Sequence, residues 1–411
     1  MTTLTEKSER LSLRKQSKMN LLACLFLYAY LAVSTLIAIP WIPNVLNTVT
    51  LYGFVVVGLA EIILFKRAFV LRLHSVWYFL FCVVCLFSSF YSIKMDIPLN
   101  TTLEMVKILV FSFVASNILD HQKKIVTCMG TYSLATMGLY AHLAMTDQLV
   151  VEEETRFGEE LMGNANIFAA VFMVAALFSV YFIFFSKKKF IKLCFFVTFC
   201  LQLHALALSG SRKNFILPIV MLCAMKLIST DKRGRKHFVR NALIAVLIFV
   251  AVAYAVFNVE WLYDAIGYRM EGLINMITGE GEVDASSKVR ANMVEVGLRL
   301  WRERPAFGNG INMFQVLTAY HTYSHNNYVE ILCGLGIFGL IVYYVFYAIG
   351  LCKVWRQKHR GEYRWYWIFC LICLLVFDIG AITYNMFMVQ FFLLLCLIEP
   401  TDGVSVRKTV R

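Results

Sequence analysis

Apolar runs of roughly 17 to 25 residues, the length a helix needs to cross a hydrocarbon core ~30 Å thick, recur along almost the whole chain. Strands of a membrane barrel would alternate apolar and polar residues, and these runs do not. Composition agrees. Of 411 residues, 60% are hydrophobic and 16% charged, whereas an ordinary soluble domain is about half apolar. The fold expected is an all-α polytopic membrane protein of about twelve transmembrane helices, near 20–39, 48–65, 75–93, 100–119, 125–145, 165–185, 191–208, 214–230, 241–258, 326–349, 365–382 and 384–399.

The net charge of +13 raises the question of nucleic acid, and its distribution answers it. With both termini cytoplasmic, most of the 39 Lys and Arg residues fall on inner segments, as the positive-inside rule requires. Basic runs such as "KKKFIK", "DKRGRKHFVR" and "KVWRQKHRGEYR" then face anionic lipid of the inner leaflet, and no nucleic-acid partner is expected. The twelve cysteines lie mostly inside apolar runs (Cys24, Cys82, Cys85, Cys194, Cys200, Cys370, Cys373 and Cys396 among them), which argues against a disulfide framework. The basic first nineteen residues lead into a span with no A-x-A-like cleavage site after it, so this reads as a retained first helix.

No linker, low-complexity tract or fixed-period repeat divides residues 1–411, which read as a single membrane domain with one outer insertion at 259–324. Another outer loop, "DQLVVEEETRFGEELMGNAN", is strongly acidic. Within the insertion, "SSKVRANMVEVGLRLWRERPAFGNG" places Val289, Met293, Val296 and Leu300 four, three and four residues apart, the spacing of an amphipathic helix. Ser286 or Ser287 can cap its start, and Pro305, Gly308 and Gly310 stop it.

Hydrophobicity and charge bias alone place Arg212 of "SGSRKN", Arg290 of "SSKVRAN" and His325 of "YSHNN" at the same outer face. Singly, each has a plain reading: Arg212 as a snorkelling interfacial arginine, Arg290 as one solvated arginine among Arg299, Arg302 and Arg304, His325 as a capping or core histidine. Together on one face they outline a site. Arg212 sits in a short turn between two long spans, opposing the charge bias, and a bound anion would compensate it.

At this point the residues resemble a known family. "HNNYVEILCGLGIFG" fits the pattern HNx9GxxG, opening at His325 and Asn326 and closing at Gly336 and Gly339, that marks the O-antigen ligase family of bacterial membrane glycosyltransferases. "RANMVEVGLRLWRERPAFGNGINMF" is similar to the family's segment before that motif, an arginine-headed helix followed by a P-x-x-G-x-G turn, and "SGSRKNF" is similar to its short arginine-bearing loop. The ligase-like region is 209–339; the N-terminal half matches only in its run of spans. The resemblance implies a metal-independent enzyme without a cofactor that moves an oligosaccharide from a polyprenyl diphosphate donor to a glycan or lipid acceptor at the extracytoplasmic face of the cytoplasmic membrane, as polymerase or ligase of surface polysaccharide.

The chemistry suits these residue types. Transfer from a lipid diphosphate needs the leaving diphosphate neutralised, a base for the acceptor hydroxyl, and a cleft open to both lipid and water. Arg212 and Arg290 fit the first role, since guanidinium stays charged and binds phosphate oxygens in bidentate fashion. His325 fits the second, because imidazole, with an unperturbed pKa of ~6.5, is a competent general base near neutrality. Asn326 and Asn327 either orient His325 or cap the span that follows. Gly308 and Gly310 either offer N–H groups to phosphate or form the exit turn of the preceding helix. Gly334, Gly336 and Gly339 read as close-packing positions.

Other polar groups carry less. No D-x-D occurs, and the acidic clusters "VEEETRFGEE" and "GEGEVD" read as solvated loop charge, so no metal is expected. Glu104 and Lys107, three apart within one span, are spaced to pair. Asp378, with Tyr384 and Asn385 beyond it, is placed to line the same cleft; mid-span His204 and His321 are weaker candidates. Two rivals remain: a flippase that moves the lipid-linked sugar without chemistry, against which the candidate cluster lies at one face and not in a central cavity, and a protein O-oligosaccharyltransferase, which would need an acceptor groove larger than this one insertion.

Overall fold

A helix satisfies its own backbone, which is what a chain in hydrocarbon requires, and helices account for the secondary structure throughout. The structure, a computed structural model, describes residues 2–65, 69–149, 157–229, 237–279, 281, 285–357 and 362–399, with no strand among them. The acidic stretch 151–156, most of the 279–284 cluster and the middles of the basic runs at 230–236 and 358–361 lie outside the described residues.

In chain order come α1 (Thr2–Leu36), α2 (Asn44–Phe65), α3 (Leu73–Ser88), α4 (Asp96–Ile118), α5 (Gln122–Met145) and a single turn, α6 (Glu159–Met162). Next are α7 (Ala165–Phe185), α8 (Lys189–Leu208), α9 (Arg212–Ile228) and α10 (Phe238–Asn258). The insertion supplies α11 (Glu260–Leu262), a π-helical turn at Tyr263–Gly267, α12 (Tyr268–Thr278), α13 (Ala285–Glu303) and α14 (Phe314–Leu317). The chain closes with α15 (Asn327–Arg356), α16 (Glu362–Phe377) and α17 (Phe387–Leu397).

Each of the twelve expected spans overlies a helix, but the described residues contain 8 helices long and apolar enough to cross a membrane. Among the rest, Leu73–Ser88 and Phe387–Leu397 are apolar but short, so twelve full crossings are not confirmed. The central helix is α7, with 72% of its apolar window buried, and the peripheral one is α10, with 17%. Both are apolar on all sides. Leu243, Val246, Leu247, Phe249 and Val250 of α10 are exposed, an arrangement that in water would aggregate and in a bilayer meets lipid.

The insertion lies over one end of the bundle. Its helix α13 buries Met293 against Phe314 and Cys333, with Val296 and Leu300 at the margin, as the spacing predicts. Val289 departs from that pattern and is 43% exposed. Ser286 and Ser287 fall inside the first turn of α13, which begins at Ala285, so they are not its N-cap.

Behind the insertion α15 is broken. Gly336 has φ 63° and ψ −164°, a conformation open to glycine and closed to most L-residues. The break frees backbone groups on both sides, and the loop "PAFGNG" takes them up: Asn309 N donates to Cys333 O (2.9 Å) and Gly310 N to Gly334 O (2.7 Å), while Ile337 N donates to Pro305 O (2.9 Å) and Phe338 N to Ala306 O (3.2 Å). A Cβ at Gly308 would stand 2.5 Å from the Gly334 carbonyl carbon, and one at Gly336 would stand 2.4 Å from that of Ala306. The loop is therefore inlaid in the helix.

Candidate active site

The turn between α8 and α9 is built around Gly210, at φ 62°, where a Cβ would lie 2.9 Å from Arg269 Nε and 3.2 Å from Ala265 O. This close approach seats the turn on the insertion. From it, the Arg212 guanidinium donates through Nη1 to Arg269 O (2.6 Å) and through Nη2 to Ser287 Oγ (2.7 Å). Arg212 thus binds the start of α13, one turn before Arg290. The next residue, Lys213, donates from Nζ to Phe377 O (2.9 Å) and sits 4.3 Å from the centroid of the Phe377 ring. Both the Arg290 guanidinium and the Asp378 carboxylate lie within its electrostatic reach.

The histidine turn is tightly held. His325 has φ 54°, a left-handed conformation that costs a non-glycine residue of the order of 1 kcal/mol or more. Its neighbours supply the restraint: Ser324 N donates to Glu330 Oε2 (2.9 Å), Ser324 Oγ donates to Asn326 O (3.0 Å), and Asn326 Oδ1 accepts from Tyr328 N (3.0 Å) and Val329 N (3.2 Å). Asn326 is therefore the N-cap of α15. Asn327 is completely buried; its Oδ1 accepts from Thr383 N (2.9 Å) and Tyr384 N (3.3 Å), and its Nδ2 donates to Tyr344 OH (3.0 Å) and Asp378 Oδ2 (3.4 Å). Asp378 completes this lattice by accepting from Tyr344 OH (2.8 Å) and Thr383 Oγ1 (2.5 Å). Asn327 and Asp378 pin the segment after α16 to the turn that carries His325.

His325 opens into a cleft of about 380 Å³. Its walls come from four places: Asn166 and Ile167 at the start of α7, Asn312 and Gln315 from the insertion, Tyr323 beside His325, and the segment from Gly380 to Met386, including Tyr384 and Asn385. The rings of Tyr323 and His325 are 4.4 Å apart. On its other side Tyr323 accepts from Asn164 Nδ2 (3.2 Å) and feels the Arg290 guanidinium; burial pushes its phenol pKa up, while Arg290 and Asn164 act the other way.

Arg212, Arg290 and His325 thus fall at one end of the molecule: Arg212 bonds to Ser287 on the helix of Arg290, Arg290 lies within electrostatic reach of Tyr323, and Tyr323 packs on His325. Gly308 N and Gly310 N bond to Arg304 O and Gly334 O, so both take part in the loop's own architecture. Tyr384 and Asn385 line the cleft as expected, with Asp378 behind them. His204 pairs with Tyr140 OH through Nδ1 (3.1 Å) and its ring faces Trp261, and His321 is exposed; neither lines the cleft. Sequence reasoning passed over Lys213, Asn164, Asn166, Asn312, Gln315 and Tyr323. Lys213 and Tyr323 stand one and two residues from singled-out positions, but no spacing rule marks the remaining four.

The fold and the site define a helical multi-pass membrane protein with a cleft at one end of its bundle that presents His325 with amide and phenol groups; neither Arg212 nor Arg290 lines it. Residues 197–344 match the family model described as O-Antigen ligase, which supports the resemblance read from His325 to Gly339. The match takes in Arg212, Arg290 and His325 and supports a membrane glycosyltransferase of the O-antigen ligase and polymerase type. A search of curated proteins found no match.

Proposed function

We propose that the protein transfers an oligosaccharide from a polyprenyl diphosphate donor to an acceptor hydroxyl, at the extracytoplasmic face of the cytoplasmic membrane, in the assembly of a surface polysaccharide. The reading rests on one observation above others: His325, its ring 4.4 Å from that of Tyr323, lines a cleft that also presents amide and phenol groups, and the Arg290 guanidinium lies within electrostatic reach of Tyr323. In the proposed step the acceptor oxygen attacks the anomeric carbon of the donor, the bond from that carbon to the diphosphate oxygen breaks, and the acceptor proton passes to His325. Arg290 offsets the charge that grows on the departing diphosphate. Arg212 supports it from behind by holding Ser287 and so the first turns of α13. Asn166, Asn312, Gln315 and Asn385 supply hydrogen-bonding groups of the kind that sugar hydroxyls take. In this scheme guanidinium groups do the electrostatic work that a metal does in other transferases.

The test is transfer by the purified protein in lipid, with a polyprenyl-diphosphate oligosaccharide as donor. Wild-type protein releases polyprenyl diphosphate and lengthens or caps the acceptor; His325→Ala and Arg290→Ala do neither at comparable rates. Unchanged turnover in both variants overturns the assignment. Transbilayer movement of donor that persists in His325→Ala with no transfer by wild type would identify a flippase instead. Polymerase and ligase separate in cells lacking the protein, which accumulate single repeats in the first case and unattached long chains in the second.

A further inference from the structure

Helix α4 is among the helices long and apolar enough to span the membrane, yet it carries an ion pair on its outer surface. Lys107 Nζ stands 2.7 Å from Glu104 Oε1, and the two side chains are 62% and 65% exposed. At 1.5 Å per residue they lie about 6 and 10 Å inside the span expected at 100–119, one to two turns beyond Thr101, whose Oγ1 accepts from Asn312 Nδ2 of the insertion (3.1 Å). Charges facing hydrocarbon within a span are disfavoured. The single bond between them engages one of the three ammonium donors and leaves carboxylate acceptor sites over. The surrounding surface is apolar and exposed, with Leu103, Val106 and Val110 on α4 and Tyr52 and Val56 on α2. Tyr52 is within electrostatic reach of Lys107. A face of this kind, apolar with one charged pair at its centre, is suited to contact with protein and not with lipid tails.

We infer that a second copy of this chain packs on the α2–α4 face, with Glu104 of each copy opposite Lys107 of the other. Charge complementarity selects this occupant. Two-fold symmetry about the membrane normal places the same patch against itself, and a patch holding one anion and one cation three residues apart is its own complement: rotation brings each charge beside its opposite and turns two outward-facing ions into a closed group of four. An anionic lipid headgroup would meet Glu104, and a purely apolar partner would leave both charges buried and unmatched.

The experiment uses the full-length protein in lipid bilayers at high dilution, with subunits per particle counted by single-molecule photobleaching. Wild type is expected to be dimeric. Glu104→Lys and Lys107→Glu, each alone, should weaken self-association by about tenfold or more, because each then opposes like charges. Mixed together, those two variants should form dimers with each other, since one presents two cations and the other two anions; this outcome cannot come from repair of the pair within one chain, which stays broken in both. The doubly exchanged E104K/K107E chain should dimerise as wild type does, and it keeps the proposal testable if a single variant folds poorly. A wild-type monomer, single variants that self-associate normally, or a mixture that fails to pair would each overturn the inference, the first also leaving lipid as the occupant of the face.

Discussion

His325 occupies a left-handed backbone position that histidine adopts only under constraint, and the constraint comes from Ser324, Asn326 and Glu330 around it. Strain held this way turns the imidazole toward the cleft in place of a relaxed loop position. Replacing His325 with alanine is expected to lower the transfer rate by about 10² to 10⁴, and to leave donor binding, followed by retention of labelled lipid, largely intact. The acidic limb of the pH–rate profile should vanish with it, since the proton acceptor is gone; a limb that persists would assign the base elsewhere. Asn327 acts differently. Alanine there strips the partner from Thr383 N and Tyr384 N, each a buried donor whose loss of a bond costs about 1–3 kcal/mol, so thermal unfolding in detergent should come markedly earlier than for Asn326→Ala, a lost N-cap worth about 1 kcal/mol. From sequence the two asparagines were equivalent, alternately capping or orienting. Their division of labour depends on the segment Thr383–Tyr384, 56 and 57 residues from Asn327, which no local pattern connects to them.

At the scale of elements, the break in α15 and the loop inlaid in it form the mechanical link between the insertion and the bundle. The glycines at 334, 336 and 339 read as packing positions, and Gly334 does pack, a Cβ there meeting Gly310 O at 2.9 Å. Gly336 does more, because it turns the backbone and exposes four groups that "PAFGNG" then satisfies. Gly336→Ala would have to adopt φ 63° with its Cβ 2.4 Å from backbone, and no flexible side chain is there to yield. The variant is expected to detach the loop, shown by protease cleavage near Phe307 that wild type resists, and to abolish transfer. Gly308→Ala, with φ 68° and an approach of 2.5 Å to the same helix, should behave alike. A pair of variants with wild-type protease resistance would mean that the loop is not held by the broken helix. The helix of Arg290 was legible because a 3.6-residue period needs only nearby positions; its first turn was misjudged at Val289 and Ser287, since the period reports which residues share a face but not where the neighbouring element begins.

At the scale of the whole molecule, the cleft is assembled from the family-matched stretch together with parts outside it. Asn166 at the head of α7 and the Gly380–Met386 segment lie on either side of residues 197–344, while Asn312, Gln315, Tyr323 and His325 lie within them. Asn166→Ala is therefore expected to raise the KM for donor or acceptor by about tenfold with a smaller change in kcat, the loss of one polar contact. An equal fall in kcat with KM unchanged would place Asn166 among the groups that act in the transition state.

The all-helical membrane character, the amphipathic helix that carries Arg290 and the motif from His325 to Gly339 were accessible from the chain itself, because hydrophobic length, periodicity and short motifs are properties of adjacent residues. The position of Lys213 beneath Gly380, the lattice of Asn327 with Asp378, the entry of Asn166 into the cleft and the inlay of "PAFGNG" in α15 were decided only in three dimensions. Each of these joins side chains or backbone groups from distant segments, and a hydrogen bond or a close contact exists only once packing has brought its two halves within a few ångströms.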